Sequence, residues 1–172
     1  SRCHSHPTSF GREHEMVMST AAFVALVSTC APQVDPGTAA ALVAIESSFN
    51  PHAIGVVHGA LDRQPRHRSE ALATARMLAA EGWNYSVGLA QINARNFERL
   101  GLTVESAFEP CANLTAMQAV LTECFERADA RNGSQQRSLR QALSCYYSGN
   151  FVTGFQHGYV RKVVRSAIRT AD

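Results

Sequence analysis

The 172-residue sequence predicts a mainly α fold with one small β-hairpin. Three observations carry that expectation. Apolar residues recur at i, i+3, i+4 spacing through most of the chain, Ser, Asp and Pro stand where helices would begin, and β-prone residues fall in two short runs. The length suits one domain, and 45% apolar content supplies a sizeable core. That domain is expected over residues 19–172. Residues 1–18 read as a leader or tail without fixed structure, because they carry His4, His6, His14 and Cys3 with little apolar content. Cys3, His4 and His6 lack a second ligand pair at zinc-site spacing, so no metal is expected there.

Taken in order, Ser19 can cap a first helix whose Phe23, Leu26, Val27 and Cys30 share a stripe. The apolar run from Met16 to Thr29 is too short to span a bilayer, and no small-x-small cleavage site follows it. Neither a membrane anchor nor an export signal is therefore expected within these residues. Asp35 and Pro36 suit the N-cap and first position of a second helix, and Asn50-Pro51 ends it. Ile54–Val57 is a short β-prone run able to pair with the stretch from Trp83. Between them a helix is expected from a Ser69 cap to Gly82, and the second half of Trp83–Asn93 reads as turning into another helix that runs to Gly101. Met117, Val120, Leu121, Cys124, Phe125 and Ala128 form a long helical stripe. A capping box of Ser138 and Gln141 would begin the next helix, with Leu139, Ala142, Leu143 and Tyr146 inward. Tyr159, Val160, Val163, Val164 and Ile168 would fill a final one.

Composition excludes some functions. The net charge is +2, and no run of Lys or Arg interleaves with aromatics, so no nucleic-acid partner is expected. With Cys3 set aside, Cys30, Cys111, Cys124 and Cys145 remain, which allows three pairings. Cys30 ends the first helix and Cys111 follows Glu109-Pro110 in an expected loop, whereas Cys124 and Cys145 both lie on predicted helices. The expected pairs are Cys30 with Cys111 and Cys124 with Cys145, stabilising by about 4 and about 3 kcal/mol in the chain-entropy model. Bridges would place the protein in an oxidising compartment, and buried free thiols are the alternative.

The functional signal centres on Glu46. Ala39, Leu42, Val43 and Glu46 share one helix face, so the carboxyl points where the apolar stripe points. It also falls in or near the last turn, at the negative end of the helix dipole. Burial and dipole both favour the protonated form, which makes the group a usable acid near neutral pH. An exposed glutamate at a misjudged phase is the bland alternative. Tyr146 and Tyr147 end a helix before Gly149, and their hydroxyls need partners, for which a buried glutamate is suitable.

Three stretches in order carry a resemblance: Glu46-Ser47 with Phe49-Asn50-Pro51-His52-Ala53, then Gly88-Leu89-Ala90-Gln91-Ile92-Asn93, then Cys145-Tyr146-Tyr147-Ser148-Gly149-Asn150. Together they resemble the signature motifs of the soluble lytic transglycosylase superfamily, over roughly Ser19 to Ile168. Cys30-Ala31-Pro32, Tyr85 to Gln91 and Pro110 to Leu114 are similar, more narrowly, to transglycosylases of type IV secretion systems.

The resemblance implies a goose-type lysozyme-like helical domain with a groove for peptidoglycan glycan strands, secretion-system components as partners, and a periplasmic location. It implies Glu46 as sole catalytic acid, Ser47 as a neighbour orienting the site, Gln91 and Asn93 as groove lining, Gly88 as a point of close backbone-to-sugar approach, and Tyr146 as the tyrosine contacting the glutamate. No cofactor or metal is implied. Two positions depart from the pattern: Ala90 stands where Met is usual, and Tyr147 where many members have Asn.

Ordinary glycosidases need two carboxylates, as the lysozyme pair does. The motifs here offer one; Asp62 and Glu98 have no apolar frame and read as solvated. A lone acid suits the family chemistry, in which the substrate N-acetyl group stabilises the anomeric carbon and a 1,6-anhydro sugar forms. A muramidase using water activated by Glu46, and a glycan-binding adaptor, are the alternatives.

Overall fold

A computed structural model describes residues 17–171, and of residues 130–132 and 170–171 the backbone alone. The leader expected over residues 1–18 lies outside the described residues as far as Met16, and with it Cys3, His4 and His6. Met18 donates its N–H to Phe49 O and packs against the core.

Helix α1 (Thr20–Cys30) begins at Ser19, whose hydroxyl accepts the Ala22 N–H, and it buries Phe23, Val27 and Cys30. Helix α2 (Pro36–Ser47) is capped by the Asp35 carboxylate and buries Ala39, Leu42 and Val43, the face anticipated from spacing. It stops abruptly. Ser48 and Phe49 both take left-handed backbone angles, φ 53° and 62°, and Phe49 turns back to meet the Phe23 ring edge-on at 5.1 Å. Burial of that aromatic contact offsets the cost of two non-glycine residues in this region.

The hairpin forms as β1 (Ile54–Val56) with β2 (Tyr85–Val87), antiparallel, with Ile54 opposite Val87. The side-chain amide of Gln64 donates to Ile54 O and accepts from Ile54 N, covering the open edge of β1. Between the strands, α3 (Arg68–Ala80) is capped by His67, not Ser69; its ring nitrogen accepts the Glu70 N–H. A third strand, β3 (Ile92–Asn93), pairs with β2 and gives the order β1-β2-β3.

The helix expected to run to Gly101 is instead β3 followed by one 3₁₀ turn, Ala94–Asn96. Gly88 at φ 81° and Gln91 at φ 52° fold the chain into a reverse turn, which a helix cannot accommodate. Asn93 then caps the 3₁₀ turn by accepting the Arg95 N–H.

The short α4 (Val104–Ala107) leads into α5 (Pro110–Asn132). Cys111 therefore sits in the first turn of α5 rather than in a loop, since Pro110 occupies the position where a missing N–H costs nothing. Helix α6 (Gln135–Ser148) starts before the expected Ser138 capping box. Gln135, Gln136 and Arg137 extend the helix backward, and Ser138 becomes its buried fourth residue, donating to Asp129. Helix α7 (Thr153–Gln156) precedes α8 (Tyr159–Ala171), which packs along α2. Tyr159, Val160 and Val163 are buried on α8, but Ile168, expected inward, is 60% exposed.

Both expected cysteine pairs are joined: Cys30–Cys111 ties α1 to α5, and Cys124–Cys145 ties α5 to α6. No described helix is long and apolar enough to cross a membrane.

Candidate active site

The end of α2, the small sheet and the end of α6 enclose a groove of about 310 Å³ lined by Glu46, Gln91, Asn93 and Tyr146 together with Ser86, Asn96, Tyr147 and neighbours. Glu46 is the only carboxylate in that lining. Asp62 and Glu98 are exposed and outside it.

Glu46 reaches the groove because the apolar face of α2 is packed against the core and the helix ends one residue later. Burial pushes its carboxyl up from 4.5 to about 7, partly opposed by the hydroxyl of Tyr159, which donates to Oε1 at 2.6 Å. A group with this affinity is part protonated and part ionised near neutral pH, so it can both give and take a proton. The Tyr159 hydroxyl in turn holds its proton far more tightly than an ordinary phenol, from burial first and then from the Glu46 charge. It serves as a fixed donor. The Tyr147 ring stacks on Tyr159 at 4.6 Å and its hydroxyl meets His157 Nδ1 at 3.0 Å, which completes an aromatic wall.

Two of the six expected site residues do not line the groove. Ser47 lies behind it, its hydroxyl donating to Leu89 O at 2.7 Å and to Val43 O at 3.3 Å. It pins the end of α2 to the Gly88–Gln91 turn. Gly88 is buried, and a Cβ there would strike the side chain of Asn113, 2.9 Å from its Cγ and closer to Nδ2. The φ of 81° and the packing against Asn113 both account for a glycine at 88.

Tyr146 lines the groove, but its hydroxyl donates to Ala90 O at 2.7 Å instead of to the glutamate. Burial and the nearby Glu46 charge both raise its pKa well above the phenol range. Gln91 spans the turn, donating to Ala53 O and Gly88 O at 3.0 Å each. Asn93 donates to Asn84 Oδ1 at 2.8 Å and to Ser86 Oγ at 3.3 Å.

The tyrosine that bonds Glu46 is Tyr159, which sequence reasoning placed in the core of the last helix. Its signal was a hydroxyl on an otherwise apolar stripe. Among the described residues no three His, Cys, Asp or Glu side chains converge as a metal centre would need.

The family model described as Transglycosylase SLT domain matches residues 24–167. The Type IV secretion system protein virB1 of Brucella suis biovar 1 (strain 1330) is 49% identical over 151 residues, which cover 84% of this chain and 63% of that protein. Protein virB1 of Agrobacterium fabrum (strain C58 / ATCC 33970) is 39% identical over 153 residues, covering 87% of this chain and 61% of its own length. The chain thus spans somewhat under two thirds of these relatives. No solved structure matches it at a significant level. With the match extending over both the acid-bearing helix and the groove, the chain belongs to the transglycosylase SLT domain family.

Proposed function

We propose that this chain is the catalytic domain of a peptidoglycan lytic transglycosylase that opens the wall locally for a type IV secretion or conjugation apparatus in the periplasm. The observation that carries the reading is a single carboxyl, raised to about 7, at the floor of a groove with no second acid. Protonated Glu46 gives its proton to the oxygen leaving C1 of N-acetylmuramic acid, and the C1–O bond breaks. The substrate N-acetyl oxygen covers the developing positive charge at C1, doing the work a second carboxylate does in paired-acid enzymes. The Glu46 carboxylate then takes the proton from the C6 hydroxyl as that oxygen bonds to C1. A 1,6-anhydro end and a free 4-hydroxyl result, no water is consumed, and Glu46 returns protonated.

Around it, Tyr159 holds Oε1, and Gln91, Asn93 and Asn96 line the groove. The two disulfides support an oxidising compartment. The relatives' names support the secretion context. Digestion of purified peptidoglycan followed by mass spectrometry of the fragments tests the reaction. Ends lighter by one water than the hydrolysed sugar are expected; only reducing, non-anhydro ends would make the protein a muramidase, and no release of fragments would leave an adaptor.

A further inference from the structure

Buried polar side chains among the described residues are Asn113 and three serines, and Asn113 is wholly sequestered at 0% exposure. It sits in the first turns of α5, away from the groove lining. Its amide is fully used. Oδ1 accepts from Ala90 N at 2.8 Å, and Nδ2 donates to Val87 O at 3.0 Å and Ala107 O at 2.9 Å. Every partner is backbone, so one planar group joins the end of β2, the end of α4 and the middle of the Gly88–Gln91 turn. No other side chain of this size supplies one acceptor and two donors in this arrangement: Asp lacks the donors, Leu lacks all three, and Gln is longer. The amide also fills the space that the absent side chain of Gly88 leaves.

The carbonyls of the same turn meet two helices, α2 through Ser47 and α6 through Tyr146. Leu89 O accepts from Ser47, the residue bonded to Glu46, and Ala90 O accepts from Tyr146. The Ala90 residue is therefore held at both ends, its N–H by Asn113 and its C=O by Tyr146.

We propose that Asn113 is a positioning residue of the active site, fixing the Gly88–Gln91 turn so that its carbonyls hold Ser47 and Tyr146 in place around Glu46. It acts through that turn and touches no substrate. The proposal rests on the reading of Glu46 as the acid. Without the amide, an unpaired N–H and two unpaired carbonyls are left buried, and the turn relaxes to find water. Ser47 and Tyr146 lose fixed acceptors, solvent reaches Glu46, and its proton affinity falls toward that of an ordinary carboxyl.

The test compares Asn113→Ala with Leu114→Ala, a substitution at the adjacent, fully buried core residue. Both are assayed on peptidoglycan well below their Tm, with kcat and KM separated and the pH profile followed from about pH 4 to about pH 9. Asn113→Ala is expected to lower kcat roughly 10- to 100-fold, as small misplacements of catalytic groups do, and to move the Glu46 limb of the profile to lower pH. Leu114→Ala is expected to lose comparable Tm while keeping kcat and profile. Equal kcat and profile in the two variants would reduce Asn113 to a core residue and overturn the proposal. Should Asn113→Ala fail to fold, Asn113→Asp keeps the shape and the acceptor for Ala90 N. It is expected to lose at least about tenfold in kcat, and a wild-type kcat and profile would overturn the proposal equally. Failure of the underlying reading shows differently, as undiminished activity in Glu46→Gln.

Discussion

The α2 wall of the groove presents one carboxyl held from behind by one tyrosine of α8 in an apolar frame, whereas the wall from Gly88 to Asn93 has its turn tied by four side chains. Glu46 accepts from Tyr159. The turn is bound by Ser47, Tyr146, Asn113 and Gln91. The first wall leaves a polar group short of solvation, and that shortage raises its proton affinity. The second saturates polar groups and gains shape. Proton affinity and geometry are thus set by opposite treatments of polarity, a few ångströms apart.

The largest expected effect tests the first wall. Glu46→Gln should cost about 10³-fold or more in anhydro-muropeptide release, because the group that moves the proton is gone. It should also stabilise the fold at alkaline pH. The carboxyl binds its proton more tightly folded, about 7 against 4.5. Its stabilising contribution is therefore complete below the unfolded value and lost as pH rises through about 7. That rise corresponds to about 3 kcal/mol by pH 8. Thermal unfolding at acid and alkaline pH checks this, and a variant no more stable than wild type at pH 8 would contradict the burial of the acid.

Next in size is Gly88→Ala in the second wall. A side chain at φ 81° pressed against Asn113 should destabilise by about 3 kcal/mol, read from denaturant midpoints, and lower activity by moving the turn. Removing the tie between α5 and α6 with Cys124→Ser and Cys145→Ser should cost about 3 kcal/mol, and reductant should have no further effect at that site.

The smallest expected effect is on the tyrosine that holds the acid. Tyr159→Phe removes the one contact that lowers the Glu46 pKa, so the limb of the pH–rate profile belonging to the acid should move to higher pH, at about 1 kcal/mol in stability. A limb that moves down instead would mean that solvent entry outweighs the lost hydrogen bond.

The acid was legible because it lies in a regular frame. Ala39, Leu42 and Val43 fix the phase of α2, and phase alone aims Glu46 at the core side. The cysteine pairs formed as expected, although Cys111 lies in the first turn of α5 and not in the loop expected for it. The stretch from Gly88 was legible only as a motif; its expected helix failed because Gln91 is left-handed, a conformation stabilised by contacts with Ala53 and Gly88. Among the tyrosines, hydroxyl partners depend on which helix approaches which, and spacing within α6 or α8 carries no such information. Asn113 stood in view as a polar residue between apolar ones, without a sign of what it would grip.

The sequence by itself determined a mainly helical chain with one acid on an apolar face, because periodicity and capping act over a few residues. The tertiary structure alone decided that Tyr159 bonds the acid, that Tyr146 and Ser47 bond the turn, and that Asn113 replaces the side chain Gly88 lacks. Those contacts join residues 23 to 113 positions apart, so they exist only once packing of α2 on α8, and of α5 beneath the sheet, has brought them within hydrogen-bond reach.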